Sequence, residues 1–493
     1  MKSLKQEYRE TLRVLGIILM FVGAAFLLPL IYVVVDREPG VSYMAFLSMV
    51  LIMESVGLGL YMIFKNNHPN VLTYQQGALT VFIAWLFTAI VSTIPFMMLG
   101  DTSFSKAFFE SMSGWTTTGL SQLDVTVLDR SLLFFRSLIQ FFGGFGLVAL
   151  MVSSIIGIRS VSTLYESEGH DKVLPNIKKT AQTLFIIYIT YFLAGTLLYV
   201  IVGMPFFDSI NHSMSAISTG GFSVKSASIG AYDSIPIEVV TIILMILGSI
   251  NFSAYILLMS GKFKQFIAVT ENKFMLVWLI ALSIIVTILL VGGIYPSMST
   301  SLRHGIFESV SAITTTGYAI SDYTLFSGSL IFIFVLIMIV GGQSGSTSGG
   351  VKMTRINLLR KNIVYNLKKV FQPKNLITEN EITTTSGKQL VHKDDMNEQY
   401  NYIVLYMATL FFGSFILTTQ GHALSASLFE YASTLGTVGL SVNIVSSTMS
   451  TLTTWVITLG MFLGRLEFTV ILVAILKLFR DGSSGLKGRF SRT

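Results

Sequence analysis

The chain has 493 residues, of which 52% are hydrophobic and only 12% are charged, and its mean hydropathy is +0.70. Soluble proteins carry about 25% charged residues, so this composition excludes a soluble enzyme or binding domain and indicates a protein of the lipid bilayer. The absence of cysteine excludes disulfides, thiol nucleophiles and thiolate metal sites.

Apolar runs long enough to cross a bilayer recur along the whole chain, at about 20 residues per crossing. The first run is too long for the apolar core of a cleavable signal peptide, so we expect it to be retained. The eighth run is interrupted by glycines, and we expect a helix to continue beyond them. An even number of crossings places both termini on one side. The ten predicted spans are 14–35, 41–64, 78–99, 132–158, 181–202, 237–259, 274–294, 330–340, 402–417 and 452–478.

Lysine and arginine are distributed unevenly between the two sides of these spans. With both termini in the cytoplasm, 26 of the 33 Lys and Arg residues lie in cytoplasmic segments. Such an excess is typical of the inner face of a membrane protein. We therefore predict a multi-pass protein of the cytoplasmic membrane with both termini cytoplasmic. The net charge of +7 reflects this topology, and nucleic-acid binding is not expected.

Four short polar segments between the spans repeat one pattern. They read FESMSGWTTTGLS from Phe109, NHSMSAISTGGFS from Asn211, FESVSAITTTGYA from Phe307 and FEYASTLGTVGLS from Phe429. In each copy an anchor glycine is preceded by a serine six residues earlier and by Glu or His nine residues earlier. The anchors are Gly119, Gly221, Gly317 and Gly439; the serines are Ser113, Ser215, Ser311 and Ser433; the earlier residues are Glu110, His212, Glu308 and Glu430.

Each copy predicts a helix, a re-entrant segment and a second helix. Irregular backbone at membrane depth is tolerated only where protein buries it or where it lines water. We therefore predict an all-α polytopic membrane protein with four pseudo-symmetric helix/pore-loop/helix repeats around one pore, preceded by an extra helix pair. The expected divisions are 1–70 for the pair, 71–160, 161–265 and 266–375 for repeats one to three, and 376–493 for repeat four with a cytoplasmic tail.

The residues that end each copy are typical of a cation filter built from backbone. A short helix over 104–115 directs the partial negative charge of its C-terminus toward the residues that follow. Extended backbone there can line a pore with carbonyl oxygens, as in potassium channels, and glycine supplies the backbone freedom. One copy alone would suit helix packing through small residues, but four copies in register favour a filter. Its predicted residues are Thr116, Thr117, Thr118, Gly119, Ser218, Thr219, Gly220, Gly221, Thr314, Thr315, Thr316, Gly317, Gly436, Thr437, Val438 and Gly439.

The acidic residues of the repeat have a simpler interpretation. Carboxylates are favoured near helix N-termini, so we expect Glu110, Glu308 and Glu430 to be solvated or paired groups near the start of the short helices rather than ion ligands. His212 replaces the acid in the second copy. We expect it to serve there as a packing or hydrogen-bonding substitute.

Five glycines interrupt the eighth span, which makes a continuous helix costly there. We predict an intramembrane loop above a water-lined cavity. Arg465, in the middle of the last predicted span, is expensive in lipid and should be paired or face water. Glu467 would lie nearly opposite it on a helix and would therefore be a poor direct partner. We expect Arg465 to face the pore, contact this loop and oppose cation passage; structural pairing or snorkelling is the alternative. The predicted gate comprises Gly341, Gly342, Gln343, Ser344, Gly345, Ser346, Thr347, Ser348, Gly349, Gly350 and Arg465.

A basic, helix-like segment over 352–374 follows the loop and leads into a polar stretch over 373–398. In the predicted topology both face the cytoplasm. Juxtamembrane lysines and arginines bind anionic lipid at about 1 kcal/mol per charge, and the same surface suits a cytosolic protein partner. The sequence leaves both possibilities open.

These motifs resemble those of the Trk/Ktr/HKT superfamily of potassium transporters. The matching segments are ESMSGWTTTG at Glu110, NHSMSAISTGGFS at Asn211, GGQSGSTSGGVK at Gly341 and GRLEF at Gly464, and the resemblance covers nearly the whole chain. It implies a potassium-selective membrane subunit that carries K⁺ without an organic cofactor and forms a homodimer. It also implies that 341–350 and Arg465 form the gate, and that a cytosolic nucleotide-binding ring of the TrkA/KtrA type regulates it.

The fourth copy departs from the pattern of the superfamily, because Gly436 and Val438 replace hydroxyl residues. Full equivalence of four ion sites is therefore not expected. An intramembrane enzyme is not expected either, since the chain contains neither an HExxH nor a GxSxG motif. Alternating access predicts inverted repeats, whereas these are parallel. A sodium- or proton-coupled potassium symporter remains the alternative function.

Overall fold

The computed structural model of the protein describes residues 4–65, 72–146, 177–371, 381–385, 387–391 and 393–490. Within these ranges six helices are long and apolar enough to cross a membrane, two further helix pairs pass the same test but are sharply bent, and Gly328–Val340 is a shorter apolar helix. Large apolar side chains such as Leu51, Ile288 and Phe412 are exposed on the outside, as lipid contact requires. The predicted all-α polytopic membrane fold is confirmed.

The N-terminal pair packs through glycine. A Cβ added to Gly16 would lie 2.5 Å from the carbonyl oxygen of Gly57, and one added to Gly57 would lie 2.8 Å from that of Gly16. The two backbones therefore touch, as is usual where small residues meet in membrane helix pairs. The helices are α1 (Leu4–Ala25), α2 (Leu30–Val35) and α3 (Gly40–Ile63).

Four units follow, and each contains a short buried helix between longer apolar ones. The first comprises α4 (Tyr74–Val91), α5 (Thr93–Leu99), α6 (Phe104–Trp115) and α7 (Arg130–Phe145). The second comprises α8 (Ile177–Ile201), α9 (Phe206–Ile217), α10 (Ile235–Ser249), α11 (Phe252–Met259) and α12 (Phe263–Ala268).

The third comprises α13 (Thr270–Leu290), α14 (Met298–Ile313), α15 (Gly328–Val340) and α16 (Met353–Val370). The fourth comprises β1 (Glu381–Thr384), β2 (Gly387–Leu390), α17 (Lys393–Thr419), α18 (Leu424–Leu435), α19 (Thr451–Leu466) and α20 (Phe468–Phe490). The short helices α6, α9, α14 and α18 each end directly before one of the four predicted filter segments.

Two predicted spans are wrong in one respect, because they are broken helices rather than continuous ones. The span predicted over 237–259 bends by 103° between α10 and α11, and the span predicted over 452–478 bends by 102° between α19 and α20. Asn251 caps α11 by accepting a hydrogen bond from the Ser253 amide at 2.8 Å. Glu467 adopts a φ of +60° and thereby ends α19. Arg465 consequently lies in the last turn of α19 and not in mid-span.

The other two units interrupt the same helix at a similar distance beyond the anchor glycine. In the first, Gly146 follows the last residue of α7 and has a φ of +94°, and in the third, Gly341 follows the last residue of α15 and has a φ of +68°. The predicted fourth span continues to 158, but residues 147–158 lie outside the described ranges. Within the described residues this helix therefore ends or bends at a similar position in all four units, although the sequence indicated this only in the third.

On the predicted cytoplasmic side, the basic segment forms helix α16 as expected. The polar stretch contains an antiparallel hairpin of β1 and β2, which the sequence did not indicate. Residues 373–380, 386 and 392 of this stretch lie outside the described ranges. The hairpin contacts the helices through two hydrogen bonds. Lys361 donates to the Glu381 carbonyl at 2.7 Å, and the Thr383 amide donates to the Thr270 hydroxyl at 3.0 Å.

Candidate functional site

The four segments that follow the short helices share one backbone conformation, and we call them the glycine segments (116–119, 218–221, 314–317 and 436–439). In each, the sign of φ alternates, because the second and fourth residues lie in the left-handed region. This alternation aligns successive carbonyl groups along one side of the chain. The φ values are +55°, +50°, +56° and +49° at Thr117, Thr219, Thr315 and Thr437, and +86°, +77°, +78° and +91° at Gly119, Gly221, Gly317 and Gly439.

The glycine segments form a closed ring. A Cβ added to any anchor glycine would overlap the carbonyl oxygen at the third position of the next segment: Gly119 faces Gly220, Gly221 faces Thr316, Gly317 faces Val438 and Gly439 faces Thr118. The order of contact is one, two, three, four and back to one. Glycine is required at these positions both by the positive φ and by the close approach of the neighbouring backbone.

The acidic residues of the repeat are neither solvated nor at the starts of their helices, so these two parts of the expectation were wrong. Glu110, Glu308 and Glu430 are fully buried in the interior of their helices. Each accepts backbone N–H bonds from the chain just beyond its glycine segment, where a buried amide would otherwise lack a partner. The donors are Gln122 at 2.5 Å for Glu110, Ile320 and Ser321 at 2.8 and 2.7 Å for Glu308, and Val442 and Val445 at 3.0 and 3.2 Å for Glu430.

Two further residues take part in these contacts between the short helices and the chain beyond the glycine segments. His212 bonds the Ser223 hydroxyl at 2.9 Å, so its prediction as a hydrogen-bonding substitute is confirmed. Arg136, which sequence reasoning missed, is buried 3.7 Å from the Glu110 carboxylate and donates to the Ser121 hydroxyl at 2.9 Å. The pairing predicted for Glu110 is therefore present, inside the protein.

A cavity of about 700 Å³, which we call the outer cavity, lies on one side of the ring and is lined by all four anchor glycines. Asp124 and Asp322 line it at matching positions, five residues beyond Gly119 and Gly317. Hydrogen bonds from the hydroxyl and amide of Thr126 lower the pKa of the Asp124 carboxyl, and those of Thr324 lower the pKa of Asp322 in the same way. Both exposed side chains therefore remain anionic at neutral pH, which favours cations in this cavity.

The glycine-rich loop (341–350) lies against the other side of the ring. The Thr347 hydroxyl is 3.1 Å from that of Thr219, and the Gly349 amide donates to the Thr315 hydroxyl at 2.9 Å. A Cβ on Gly349 would overlap the Thr437 hydroxyl. The loop therefore contacts glycine segments two, three and four.

The break in the second unit holds the opposite side of this loop. The Asn251 amide donates to the Gln343 side-chain oxygen at 3.1 Å, and the Phe252 amide donates to the Gly345 carbonyl at 3.1 Å. The Thr347 amide donates to the Gly248 carbonyl at 3.3 Å. Residues at and beside the break between α10 and α11 thus exchange hydrogen bonds with the glycine-rich loop, which satisfies backbone groups of both, as irregular backbone at membrane depth requires.

Arg465 reaches the glycine-rich loop and the end of α7 together. Its guanidinium donates to the carbonyl of Thr347, and to those of Gly143 and Gly144 at 2.7 and 2.9 Å. Contact between Arg465 and the loop was predicted and is present. Glu467 bonds Arg355 instead, at 2.8 Å, in agreement with the prediction that it is a poor partner for Arg465.

A second cavity, of about 450 Å³, opens beneath the loop. Ser344, Ser346 and Ser348 of the loop line it together with Lys352 and Arg465. Lys352, which sequence reasoning did not single out, has a φ of +80° and donates to the Ser348 carbonyl. Two basic side chains therefore contact the loop at this cavity.

Comparison with known proteins identifies the family and the fold of this chain. The family model described as TrkH, cation transport protein, matches residues 42–485. The chain is 29% identical to a Trk system potassium uptake protein TrkH of Halomonas elongata, covering 94% of this chain and 98% of the relative, and 28% identical to that of Salmonella typhimurium, covering 96% and 99%. The crystal structure of the potassium transporter TrkH from Vibrio parahaemolyticus superposes with a TM-score of 0.82 at 25% identity, covering 94% of this chain and 98% of that one.

Proposed function

Because this chain belongs to the TrkH family of cation transport proteins, we propose that it takes up potassium through the axis enclosed by its four glycine segments. The observation that carries the proposal is the alternating φ repeated in all four segments around one closed ring. Backbone carbonyls arranged in this way replace the hydration shell of a cation. The filter residues are those of segments 116–119, 218–221, 314–317 and 436–439.

The glycine-rich loop is proposed to be the gate, together with Arg465. The loop contacts the ring and also lines the second cavity, so we expect it to close the path between them. Its contacts are hydrogen bonds to hydroxyl and carbonyl groups, which can exchange for bonds to water when the loop moves. Arg465 adds a positive charge beside the path, which opposes a partly dehydrated cation.

Regulation is proposed to enter from the cytoplasmic side, with both termini in the cytoplasm. Helix α16 directly follows the loop, and the hairpin of β1 and β2 contacts α16 and α13. A partner that moves the hairpin would therefore displace α16, and α16 is joined directly to the loop. The surface suits a nucleotide-binding ring of the TrkA/KtrA type acting on a homodimer of this chain in the cytoplasmic membrane.

The test is ion flux into proteoliposomes that contain only this chain, with K⁺, Na⁺ and pH gradients set independently. Uptake of K⁺ down its own gradient, faster than that of Na⁺, is the expected result. Uptake that needs a Na⁺ or proton gradient would establish the coupled symporter instead, and the glycine segments would then be a binding site within a transport cycle. Equal K⁺ and Na⁺ flux would contradict the filter assignment.

A further inference from the structure

Gln140 is a buried polar residue behind the ring that the described mechanism does not use. It lies on α7, in the first unit, and its side chain is fully buried against the glycine segment of the second unit. It stands 21 residues after Gly119. The residues at the same distance from the other anchors are Ile242, Met338 and Gly460, so no other unit has an amide side chain at this position.

The Gln140 side chain makes three hydrogen bonds to the second unit. Its Oε1 accepts from the Ser215 hydroxyl at 2.7 Å and from the Phe222 amide at 3.1 Å. Its Nε2 donates to the Gly220 carbonyl at 2.5 Å. Because a backbone amide can only donate, the atom facing Phe222 must be the oxygen, and this fixes Nε2 against Gly220.

The Gly220 carbonyl is one of the four that form the ring. The corresponding oxygens belong to Thr118, Thr316 and Val438, and each lies against the anchor glycine of a neighbouring segment. Gln140 therefore holds an atom that, under the proposed function, faces the ion. The second lone pair of the Gly220 oxygen remains available for a cation.

The glycine segments are not all supported from behind in the same way. In segments one and three the first and third residues pair through their hydroxyls, Thr116 with Thr118 at 2.7 Å and Thr314 with Thr316 at 2.8 Å. In segment two the third residue is Gly220, which has no side chain to form such a pair. A Cβ there would lie 2.5 Å from the Gln140 amide, so the glycine makes room for Gln140 to replace the missing hydroxyl pair.

We propose that Gln140 is a positioning residue that sets the potassium selectivity of this ring, an inference that rests on the proposed function. By fixing the Gly220 oxygen, it keeps the second segment from moving inward around a smaller cation. In a ring held at the width of K⁺, dehydration of Na⁺ costs more free energy than coordination by the ring oxygens returns. Without the amide, segment two has neither support and can close on Na⁺.

The test compares K⁺/Na⁺ permeability ratios of three variants with the wild type in the same proteoliposomes. Gln140→Ala is expected to lower the ratio about three- to tenfold, the range expected for one buried hydrogen bond. Gln122→Leu is the matched control, because Gln122 is also a buried glutamine beside the ring and its side-chain amide makes no hydrogen bond among the described residues. It should keep the wild-type ratio.

The third variant separates positioning from general structural support. Gln140→Ala combined with Ser218→Thr and Gly220→Thr gives segment two the hydroxyl pair of segments one and three, in the space that the glutamine leaves. It should recover most of the selectivity lost in Gln140→Ala. If Gln140→Ala does not assemble, Gln140→Met, which retains the volume without the amide, carries the same expectation of a lowered ratio.

The outcomes distinguish this inference from the proposed function. A selective wild type with an unchanged ratio in the Gln140 variant would overturn the inference alone, as would a triple variant no more selective than Gln140→Ala. A wild type that does not discriminate K⁺ from Na⁺ would overturn both.

Discussion

Replacement of Gly221 by serine tests the geometry of the ring at one position. Gly221 has a φ of +77°, and a Cβ there would overlap the carbonyl oxygen of Thr316 in the next segment. The variant therefore introduces backbone strain and also displaces a ring oxygen. We expect the permeability of K⁺ to fall more than that of Na⁺, because the undistorted ring fits the larger ion.

The structure sets the size of the effect. A left-handed conformation costs an L-residue about 1–2 kcal/mol, and a free energy of that size corresponds to a factor of about 5 to 30. If the segment relieves the strain by moving, the K⁺/Na⁺ permeability ratio should fall by at most this factor. The overlap with Thr316 acts in the same direction, since relief by outward movement of that segment widens the ring.

The assay is the reversal potential of purified protein in planar bilayers under K⁺ and Na⁺ gradients. Gly292→Ser is the matched control, because Gly292 has a φ of +73° but no atom within 4 Å of an added Cβ. It carries the same backbone strain away from the ring and should keep the wild-type ratio. A folded Gly221→Ser protein with the wild-type ratio would refute the assignment of this segment to the filter.

Three further predictions concern the gate and the outer cavity. Arg465→Ala should raise K⁺ flux severalfold, because it removes a positive charge and frees the Thr347 carbonyl. Arg465→Lys should stay closer to wild type in the same flux assay. Equal flux in the wild type and both variants would mean that Arg465 has only a packing role. Deletion of Gly345–Gly349 should raise basal flux, and a folded but less active deletion variant would mean that the loop supports the pore rather than closing it. The double variant Asp124→Asn/Asp322→Asn should lower K⁺ flux about two- to threefold at low ionic strength and match wild type at high salt, because screening removes the attraction. Since the pKa of both carboxyls is lowered, the wild-type attraction should persist as pH falls from 8 to about 5 and disappear only below about pH 4, as pH falls through those pKa values; a loss already complete at pH 6 would contradict this.

The sequence predicts features that repeat or that follow from local composition. The short helix Phe104–Trp115 has the predicted bounds because an apolar face and a following run of threonines define it locally. The glycine-rich loop was predicted for a similar reason, since five glycines weaken any helix. Four copies of one pattern within the chain also made the ring predictable without other sequences.

What the sequence did not reveal depends on contacts between distant residues. The breaks after α10 and α19 contain neither glycine nor proline, and they are stabilised by partners far along the chain, Gln343 for the Asn251 amide and Arg355 for Glu467. The acids of the repeat were assigned to helix starts because carboxylates are favoured near helix N-termini. Here Glu308 accepts hydrogen bonds from backbone amides more than ten residues later in the chain. A serine recurs eleven residues after Glu110, His212 and Glu430, and this recurrence was the signal in the sequence that could have indicated such contacts.

The most direct measurement is the position of a heavy potassium analogue in the folded protein. Crystals or frozen specimens prepared in Rb⁺ should show density on the axis of the ring, bounded by the carbonyl oxygens of Thr118, Gly220, Thr316 and Val438, and the density should weaken when Na⁺ replaces Rb⁺. Density confined to the outer cavity beside Asp124 and Asp322, with none inside the ring, would contradict a potassium filter formed by the four glycine segments.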